Sequence, residues 1–352
     1  MYSAAQADDP VAALKRRLDS GQASLTYSER LGYLPSLLEQ LGISPDSQLL
    51  VFSKTSFQRD PISPRTPRAI FFNDETAIGY IPDGDVMEVT SFQPGVGQRY
   101  YTIDVKKREK PTFEPENDRC LICHGRAGGL WVSSVSAQAD GTPYTTDTLY
   151  DFVDHRTPFE RRWGGWFVTG TMGTPTAANA IGLNPNSPFT LKKIEMKIDA
   201  SRYPAPGSDI VALMTLDHQV HMTNLIRGAA PLTIDELVDY MLFLDEEPFK
   251  GPVKASSAFH ESFARRGPRD SKGRSLRDFD LQTRLFKYPL SYMIYSEAFQ
   301  GIEPALRARI YTRISDILSG ERRRPKYDRL SASDRKSLLE ILRDTIPGFP
   351  SP

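Results

Sequence analysis

The sequence has only two cysteines among its 352 residues, and they stand three positions apart. Two cysteines form at most one bridge, which excludes a disulfide framework as the basis of the fold. No apolar run approaches the roughly 20 residues that span a bilayer. The chain carries no net charge, with 44 Lys plus Arg against 44 Asp plus Glu. This balance gives no reason to expect nucleic acid or an anionic membrane surface as a partner.

The composition is that of a folded protein. Hydrophobic residues make up 39% of the chain and charged residues 25%, which is typical of globular domains. The length suffices for two or three domains, or for one core with large elaborations. Near the N-terminus, the Ala-Gln-Ala sequence at 5–7 resembles a signal-peptidase site, although no apolar segment precedes it. We therefore expect a sequence that begins at or near the mature end of an exported protein.

Residue periodicity predicts an α+β fold with three regions, 1–105, 106–230 and 231–352. The first combines helices with a small antiparallel sheet, the second is irregular and rich in glycine, proline and tryptophan, and the third is mainly helical. The predicted helices cover 11–18, 28–41, 208–228, 233–247, 304–319 and 331–345. The predicted strands cover 49–52, 69–72, 77–81, 86–90, 99–105 and 187–198. Residues 250–277 are predicted to form a long loop. We expect Ser208 and Thr233 to cap the helices that they precede.

The two cysteines belong to the motif Cys120-Leu-Ile-Cys123-His124. This Cys-x-x-Cys-His pattern is typical of covalent haem c attachment, in which both cysteines form thioether bonds to the porphyrin and the histidine binds the iron. The motif therefore predicts one haem c, with His124 as an axial iron ligand. Because c-type attachment takes place on the exported side of a membrane, it also predicts a periplasmic or otherwise exported protein.

Two other kinds of site share part of this pattern. A thioredoxin-like redox pair is expected after a strand in a βαβ unit, and no such unit is predicted here. A zinc site needs two more ligands, and no further cysteine remains to supply them at a familiar spacing. Haem attachment is therefore the favoured interpretation.

A haem iron also needs a second axial ligand for electron transfer, or a vacant position for chemistry. His218 and His221 lie three residues apart on the predicted helix 208–228. Helical spacing places them on one face with Met214 and Leu225. This mixture of imidazole and apolar side chains suits a haem-facing surface, so His218 is the predicted second ligand.

Other side chains remain alternatives for that position. Met172 lies in a glycine-rich segment, and a loop methionine is the usual partner in small c-type cytochromes. His155 follows it, and His260, in a polar segment, is the least favoured. Each of these histidines, His218 included, also suits a buried core or interface position.

The segment 154–166 is the second unusual feature. Arg161 and Arg162 precede Trp163, and Trp166 follows after two glycines. Guanidinium groups bind carboxylates through paired donors, and indole rings cover flat apolar surfaces. These four residues are therefore predicted to form a second wall of the haem site, although an aromatic core turn with solvated arginines explains the same pattern.

Four segments resemble a group of large, exported single-haem proteins known only as cytochrome c domain-containing proteins. They are Asn-Asp-Arg-Cys-Leu-Ile-Cys-His at 117–124, Arg-Trp-Gly-Gly-Trp-Phe-Val-Thr-Gly at 162–170, Leu-Asp-His-Gln at 216–219 and Tyr-Pro-Leu-Ser-Tyr-Met-Ile-Tyr-Ser-Glu-Ala-Phe at 288–299. The resemblance covers most of the chain. It implies haem and export, supports His218, and implies no particular reaction. The chain departs from the group at Met172, where the group has a histidine.

Two functions are compatible with these features. The first is one-electron transfer to a redox partner protein through a six-coordinate haem. The second is a haem enzyme, peroxidase-like or acting on a small inorganic substrate, with an open or displaceable distal site. The length of the chain favours the enzyme, whereas the lack of an evident distal acid–base set favours the carrier. A gas or redox sensor is less favoured, because no signalling module accompanies the motif.

Overall fold

The computed structural model describes residues 8–125, 129–144, 150–184, 186–187 and 190–350. The signal-peptidase-like segment at 5–7 lies outside these residues. The described helices are α1 (Pro10–Asp19), α2 (Leu34–Gln40), α3 (Asn117–His124), α4 (Ile210–Arg227), α5 (Ile234–Met241), α6 (Phe259–Ala264), α7 (Glu297–Gln300), α8 (Pro304–Ser319) and α9 (Ala332–Thr345). The described strands are β1 (Leu49–Val51), β2 (Arg68–Phe72), β3 (Thr76–Tyr80), β4 (Val86–Gln93), β5 (Gly97–Asp104), β6 (Glu114–Pro115), β7 (Ser133–Val135), β8 (Tyr150–Phe152), β9 (Trp166–Phe167), β10 (Ala180–Gly182) and β11 (Leu191–Lys193).

A seven-stranded antiparallel sheet organises the molecule, in the order β6-β5-β4-β3-β2-β1-β9. Short runs rich in β-branched and aromatic residues form its strands, and tight turns join them. Gly95 adopts a φ of 74° in the turn between β4 and β5, a conformation that glycine permits at low cost. The strands predicted between 49 and 105 are confirmed, as is the α+β class.

The two faces of the sheet have different neighbours because successive side chains of a strand point in opposite directions. On one face Leu50, Phe71 and Ile78 form a core with Leu14 of α1 and Leu37 of α2. On the other face α4 packs across the sheet, and the C-terminal helices extend this second core. The segment that contains the cysteines follows β6 at the sheet edge.

The helical predictions differ in accuracy. Helices α8 and α9 match their predicted ranges, and α9 begins with a reciprocal capping box between Ser331 and Asp334. Helix α4 is also present, but Asp209 caps it, and the Ser208 hydroxyl instead accepts a hydrogen bond from the Leu50 amide at 2.9 Å. The predicted cap at Thr233 is wrong, because this hydroxyl accepts a hydrogen bond from the Ala230 amide and α5 has no side-chain cap.

Other predicted elements differ from the structure in their extent. Helix α2 begins only at Leu34, since the preceding chain closes a tight turn with a bridge between Ser28 and Gly32. The strand predicted at 187–198 is reduced, in the described chain, to β11, and the predicted loop 250–277 contains α6. No helix in the described residues has the length and apolar character needed to cross a bilayer.

Candidate functional site

A cavity of about 540 Å³ lies between the sheet, the motif helix α3 and one side of α4. Ligand-binding clefts typically have volumes of about 300–1,000 Å³. The described residues that line it are Val51, Lys54, Thr55, Ser56, Arg59, Arg68, Ile70, Ala77, Ile78, Gly79, Glu88, Val89, Thr90, Tyr100, Tyr101, Cys120, Cys123, His124, Leu130, Trp131, Val132, Ser133, Phe152, Trp166, Leu216 and Val220. Cys120, Cys123 and His124 of the Cys-x-x-Cys-His motif are all among them.

The edge of the sheet positions the motif helix. Strand β6 pairs with β5 directly before α3, and the Glu116 amide donates a hydrogen bond to the carbonyl oxygen of Tyr100 at 2.9 Å. The Glu116 side chain caps the helix by accepting from the Arg119 amide. Gly125 follows the helix with a φ of 66°, which turns the chain away after His124.

The His124 ring is fixed on two sides. Its Nδ1 lies 2.8 Å from the carbonyl oxygen of Gly129, and its ring stacks on that of Tyr100 with centroids 5.0 Å apart. Because a carbonyl oxygen only accepts, Nδ1 carries the proton and the lone pair resides on Nε2. Burial lowers the pKa of His124, which favours the neutral imidazole. A neutral imidazole with an oriented Nε2 lone pair is the form that binds a metal ion.

The two cysteines are free thiols. Burial, reinforced by the nearby carboxylates of Glu88 and Glu116, raises the pKa of Cys120 to about 12. A redox-active cysteine requires a low pKa, since the thiolate is the nucleophile, so Cys120 does not resemble the attacking thiol of a thioredoxin-like pair. The described residues also contain no group of three or more His, Cys, Asp or Glu side chains arranged to hold a metal ion.

Small residues at the centre of the sheet make room for the cavity. Gly79 and Ala77, on β3, both line it. A Cβ atom on Gly79 would lie 3.6 Å from the side chains of Arg68 and Glu88, which flank it on β2 and β4. Glycine inside a strand often marks a place where a ligand approaches closely. Arg68 and Glu88 form an ion pair, with 3.0 Å between Nη1 and Oε2.

Cations and aromatic rings surround the rest of the cavity. Lys54 and Arg59 come from the loop between β1 and β2; Lys54 forms a 3.5 Å ion pair with Asp140, and Arg59 is exposed. The rings of Trp131 and Phe152 are in contact, with centroids 4.6 Å apart and planes tilted by 31°, and these side chains are 42% and 62% exposed. These two exposed rings leave apolar surface available to a ligand on this side of the cavity.

Of the segment 154–166, only Trp166 is among the described residues that line the cavity. Trp163 is fully buried elsewhere and donates from Nε1 to Asp217 at 2.8 Å. Arg162 is also buried and donates to two backbone carbonyls, those of Thr157 and His155. Arg161 is exposed and is not one of the described lining residues. Neither Arg161 nor Arg162 therefore lines the cavity, as the predicted second wall of the haem site required.

The structure does not bring His218 into the cavity with His124. Leu216 and Val220 line the cavity from α4, whereas His218, two residues from each, projects from the other side of the helix. His218 is completely buried; its Nδ1 lies 2.9 Å from Nδ1 of His155, and its Nε2 lies 2.7 Å from the Ser291 hydroxyl. Burial lowers the pKa of both histidines, which favours a neutral pair.

The remaining alternatives for the second axial position also lie away from the described lining. His221 lies beside Asp154 and Arg156, with 3.7 Å between its Nδ1 and the carboxylate. The Nδ1 atom of His260 lies 3.3 Å from the carbonyl oxygen of Ser257. Met172 is partly buried and packs against the larger core.

Sequence reasoning missed the polar residues of the cavity. Lys54, Arg59, Arg68 and Glu88 lie 32 or more positions before Cys120 in the chain, so only the sheet brings them to the motif. Gly79 was the one available signal, because an isolated glycine inside a strand pattern suggests a bulge or a close approach.

Comparison with known proteins adds no further assignment: no family model, curated protein or solved structure matches this chain. The chemistry of the cavity is therefore the basis for assigning a function.

Proposed function

We propose that this protein is an exported c-type cytochrome that binds one haem covalently through Cys120 and Cys123, with His124 as an iron ligand. The observation that carries the proposal is the geometry of the motif. Both thiols and the imidazole line one cavity, and the hydrogen bond from His124 Nδ1 to Gly129 orients the lone pair of Nε2. These are the groups that haem c attachment requires.

The character of the lining also fits a porphyrin. A porphyrin has a flat apolar body, and the cavity offers apolar contacts from Ile70, Leu216, Val220 and Trp166. These side chains would exclude water from the ring. When bound, the group supplies a one-electron iron couple, which suits transfer to and from a redox partner protein.

The two propionate carboxylates of a haem require cations or solvent as hydrogen-bond partners. Lys54 and Arg59 line the cavity from the loop that follows β1, and Arg59 is exposed. We assign propionate binding to these two residues instead of Arg161 and Arg162, since a charge-assisted hydrogen bond requires direct contact. Export follows from the same proposal, because covalent attachment of haem c takes place outside the cytoplasm.

The test is to produce the protein in the periplasm of a host with a haem c maturation system and to denature it. Haem that stays with the polypeptide through acid–acetone extraction supports the proposal. The Cys120→Ser and Cys123→Ser variants are each expected to retain one thioether bond, which the pyridine haemochrome spectrum distinguishes from two. The double variant is expected to release all of its haem. Freely extractable haem in the unmodified protein contradicts covalent attachment.

A further inference from the structure

We infer that Asn224, on α4, is a positioning residue that fixes the tautomer and the orientation of the His124 imidazole. The connection is the peptide group that joins Gly129 to Leu130. This group bonds to His124 through its carbonyl oxygen and to Asn224 through its N–H. The inference rests on the proposed function only where it treats His124 as an iron ligand.

One rigid peptide group carries both contacts. Its carbonyl oxygen, from Gly129, lies 2.8 Å from Nδ1 of His124, and its N–H, from Leu130, donates to Oδ1 of Asn224 at 3.1 Å. Because a peptide group is planar, a side chain that holds the N–H also directs the carbonyl oxygen. Hydrogen bonds in such a row polarise one another, which makes the Gly129 oxygen a stronger acceptor for the imidazole N–H.

A second hydrogen bond sets the orientation of the Asn224 amide. Its Nδ2 donates to the carbonyl oxygen of Leu130 at 2.7 Å. Only one orientation of the amide provides both an acceptor for the Leu130 N–H and a donor for the Leu130 carbonyl oxygen. In the described part of the chain, neither of these two groups of Leu130 bonds to another backbone group, so the Asn224 side chain takes the place of a strand partner.

The periodicity of α4 explains how Asn224 reaches this peptide. Leu216, Val220 and Asn224 follow one another at intervals of four residues and therefore lie along one side of the helix. Leu216 and Val220 line the cavity, as does Leu130. Helix α4 thus supports the motif through Asn224, whereas His218 lies on its other side. A helix also holds a side chain more precisely than a loop does.

The consequence for a bound iron follows from the imidazole. Fixing the proton on Nδ1 leaves the lone pair of His124 on Nε2, and a hydrogen bond from the other ring nitrogen raises the basicity of a ligating imidazole. A more basic imidazole stabilises ferric iron relative to ferrous iron. Loss of Asn224 should therefore change the tautomer of the haem-free chain and the reduction potential of the loaded protein.

The first test uses the full chain produced without haem and measures the ring nitrogen chemical shifts of His124 by NMR, at a pH where the imidazole is neutral. We expect the unmodified protein to show the Nδ1–H tautomer. Asn224→Leu, similar in size but without polar atoms, is expected to lower the ratio of the Nδ1–H to the Nε2–H form by about 2- to 10-fold, the usual effect of one hydrogen bond. Asn224→Gln, which retains both amide groups, should lose less.

The second test is a potentiometric titration of the haem-loaded protein. Asn224→Leu is expected to raise the reduction potential by about 20–60 mV, the same 2- to 10-fold change expressed for a one-electron couple. Thr223→Val is the matched control, because Thr223 is adjacent on α4 and its hydroxyl donates to the carbonyl oxygen of Gln219, in the same helix, at 2.9 Å. The tautomer and the potential of this control are expected to equal those of the unmodified protein.

An Nε2–H tautomer in the unmodified protein overturns the inference without reference to any variant. It is also overturned by an Asn224→Leu protein that keeps the original tautomer and potential, or by a Thr223→Val protein that changes them as much. A chain that acquires no covalent haem contradicts the proposed function instead, and the tautomer measurement still decides the role of Asn224.

Discussion

The phenol ring of Tyr100 stacks on the imidazole ring of His124, with centroids 5.0 Å apart and an angle of 24° between their planes. The carbonyl oxygen of Tyr100 also accepts the hydrogen bond from the Glu116 amide, directly before the motif helix. One residue of the sheet edge therefore contacts both ends of this eight-residue helix. The orientation of the candidate iron ligand depends on the sheet as well as on the motif.

Gly79→Ile is expected to block the cavity without unfolding the sheet. A Cβ at this position makes ordinary contacts at 3.6 Å, so the strand accepts it, and β-branched residues suit strands. The additional carbons of isoleucine would occupy space that the porphyrin needs. We expect the haem content per polypeptide to fall by about twofold or more because overpacking is costly.

Gly79→Ala serves as its control, because the single methyl group fits at ordinary contact distance. Haem content is measured by absorbance against protein mass, and folding by circular dichroism. A Gly79→Ile protein with full haem content would show that this part of the cavity is not used by the porphyrin.

Replacing both Lys54 and Arg59 by glutamine is expected to lower the reduction potential. Removal of positive charge beside the propionates stabilises the oxidised iron relative to the reduced iron. For partly solvated charges worth about 0.2–1 kcal/mol each, the shift is roughly 10–40 mV per residue. Potentiometric titration measures it, and Lys336→Gln, a change on the exposed surface of α9, is the control. An unchanged potential would show that these two cations do not lie near the haem.

The sheet could be predicted because its signals are local. Alternating or aromatic-rich runs and glycine turns mark β2 to β5, and Pro304 and Gly320 mark the two ends of α8. The position of His218 could not be predicted in this way. Nearly all of α4 is buried, so the periodicity of its apolar residues does not reveal which side meets the cavity. Leu216 and Val220 take that side, and His218 meets His155 and Ser291 on the other.

The cavity itself depends on strand register. Gly79 pairs with Glu88 on β4 and with Ile70 on β2, which places Arg68 and Glu88 on the same face. A shift of one residue in either pairing would direct one of these side chains to the opposite face. Sequence spacing alone does not specify that register, so the ion pair required the three-dimensional structure.

Glu75→Gln is expected to stabilise the protein at neutral and alkaline pH. One carboxylate oxygen of Glu75 accepts from the Glu297 amide at 2.8 Å, and the other is buried without a partner. Burial, with the neighbouring carboxylates of Asp74 and Glu297, raises the pKa of Glu75 to about 7. Because the folded pKa exceeds the unfolded one, the stability that Glu75 contributes is present at acid pH and is lost as pH rises through about 7.

The difference in the free energy of unfolding between the two proteins should therefore change with pH. From about pH 5 to about pH 8 the variant should gain up to about 3 kcal/mol relative to the unmodified protein. Urea denaturation of both proteins at each pH measures this change. A constant difference would mean that Glu75 titrates normally in the folded state.

His218→Ala is expected to destabilise the fold and to leave the spectrum of the bound haem unchanged. His218 is fully buried and bonded through both ring nitrogens, so the variant loses two hydrogen bonds and leaves a cavity among Tyr240, Phe243 and Phe286. Such losses typically cost about 2–4 kcal/mol. His221→Ala, on the same helix and only partly buried, is expected to cost less and is the control. Urea denaturation gives the cost, and the Soret and visible bands report on the iron. A spectrum that changes in His218→Ala but not in His221→Ala would make His218 an iron ligand in the loaded protein, which would require α4 to rotate relative to the sheet.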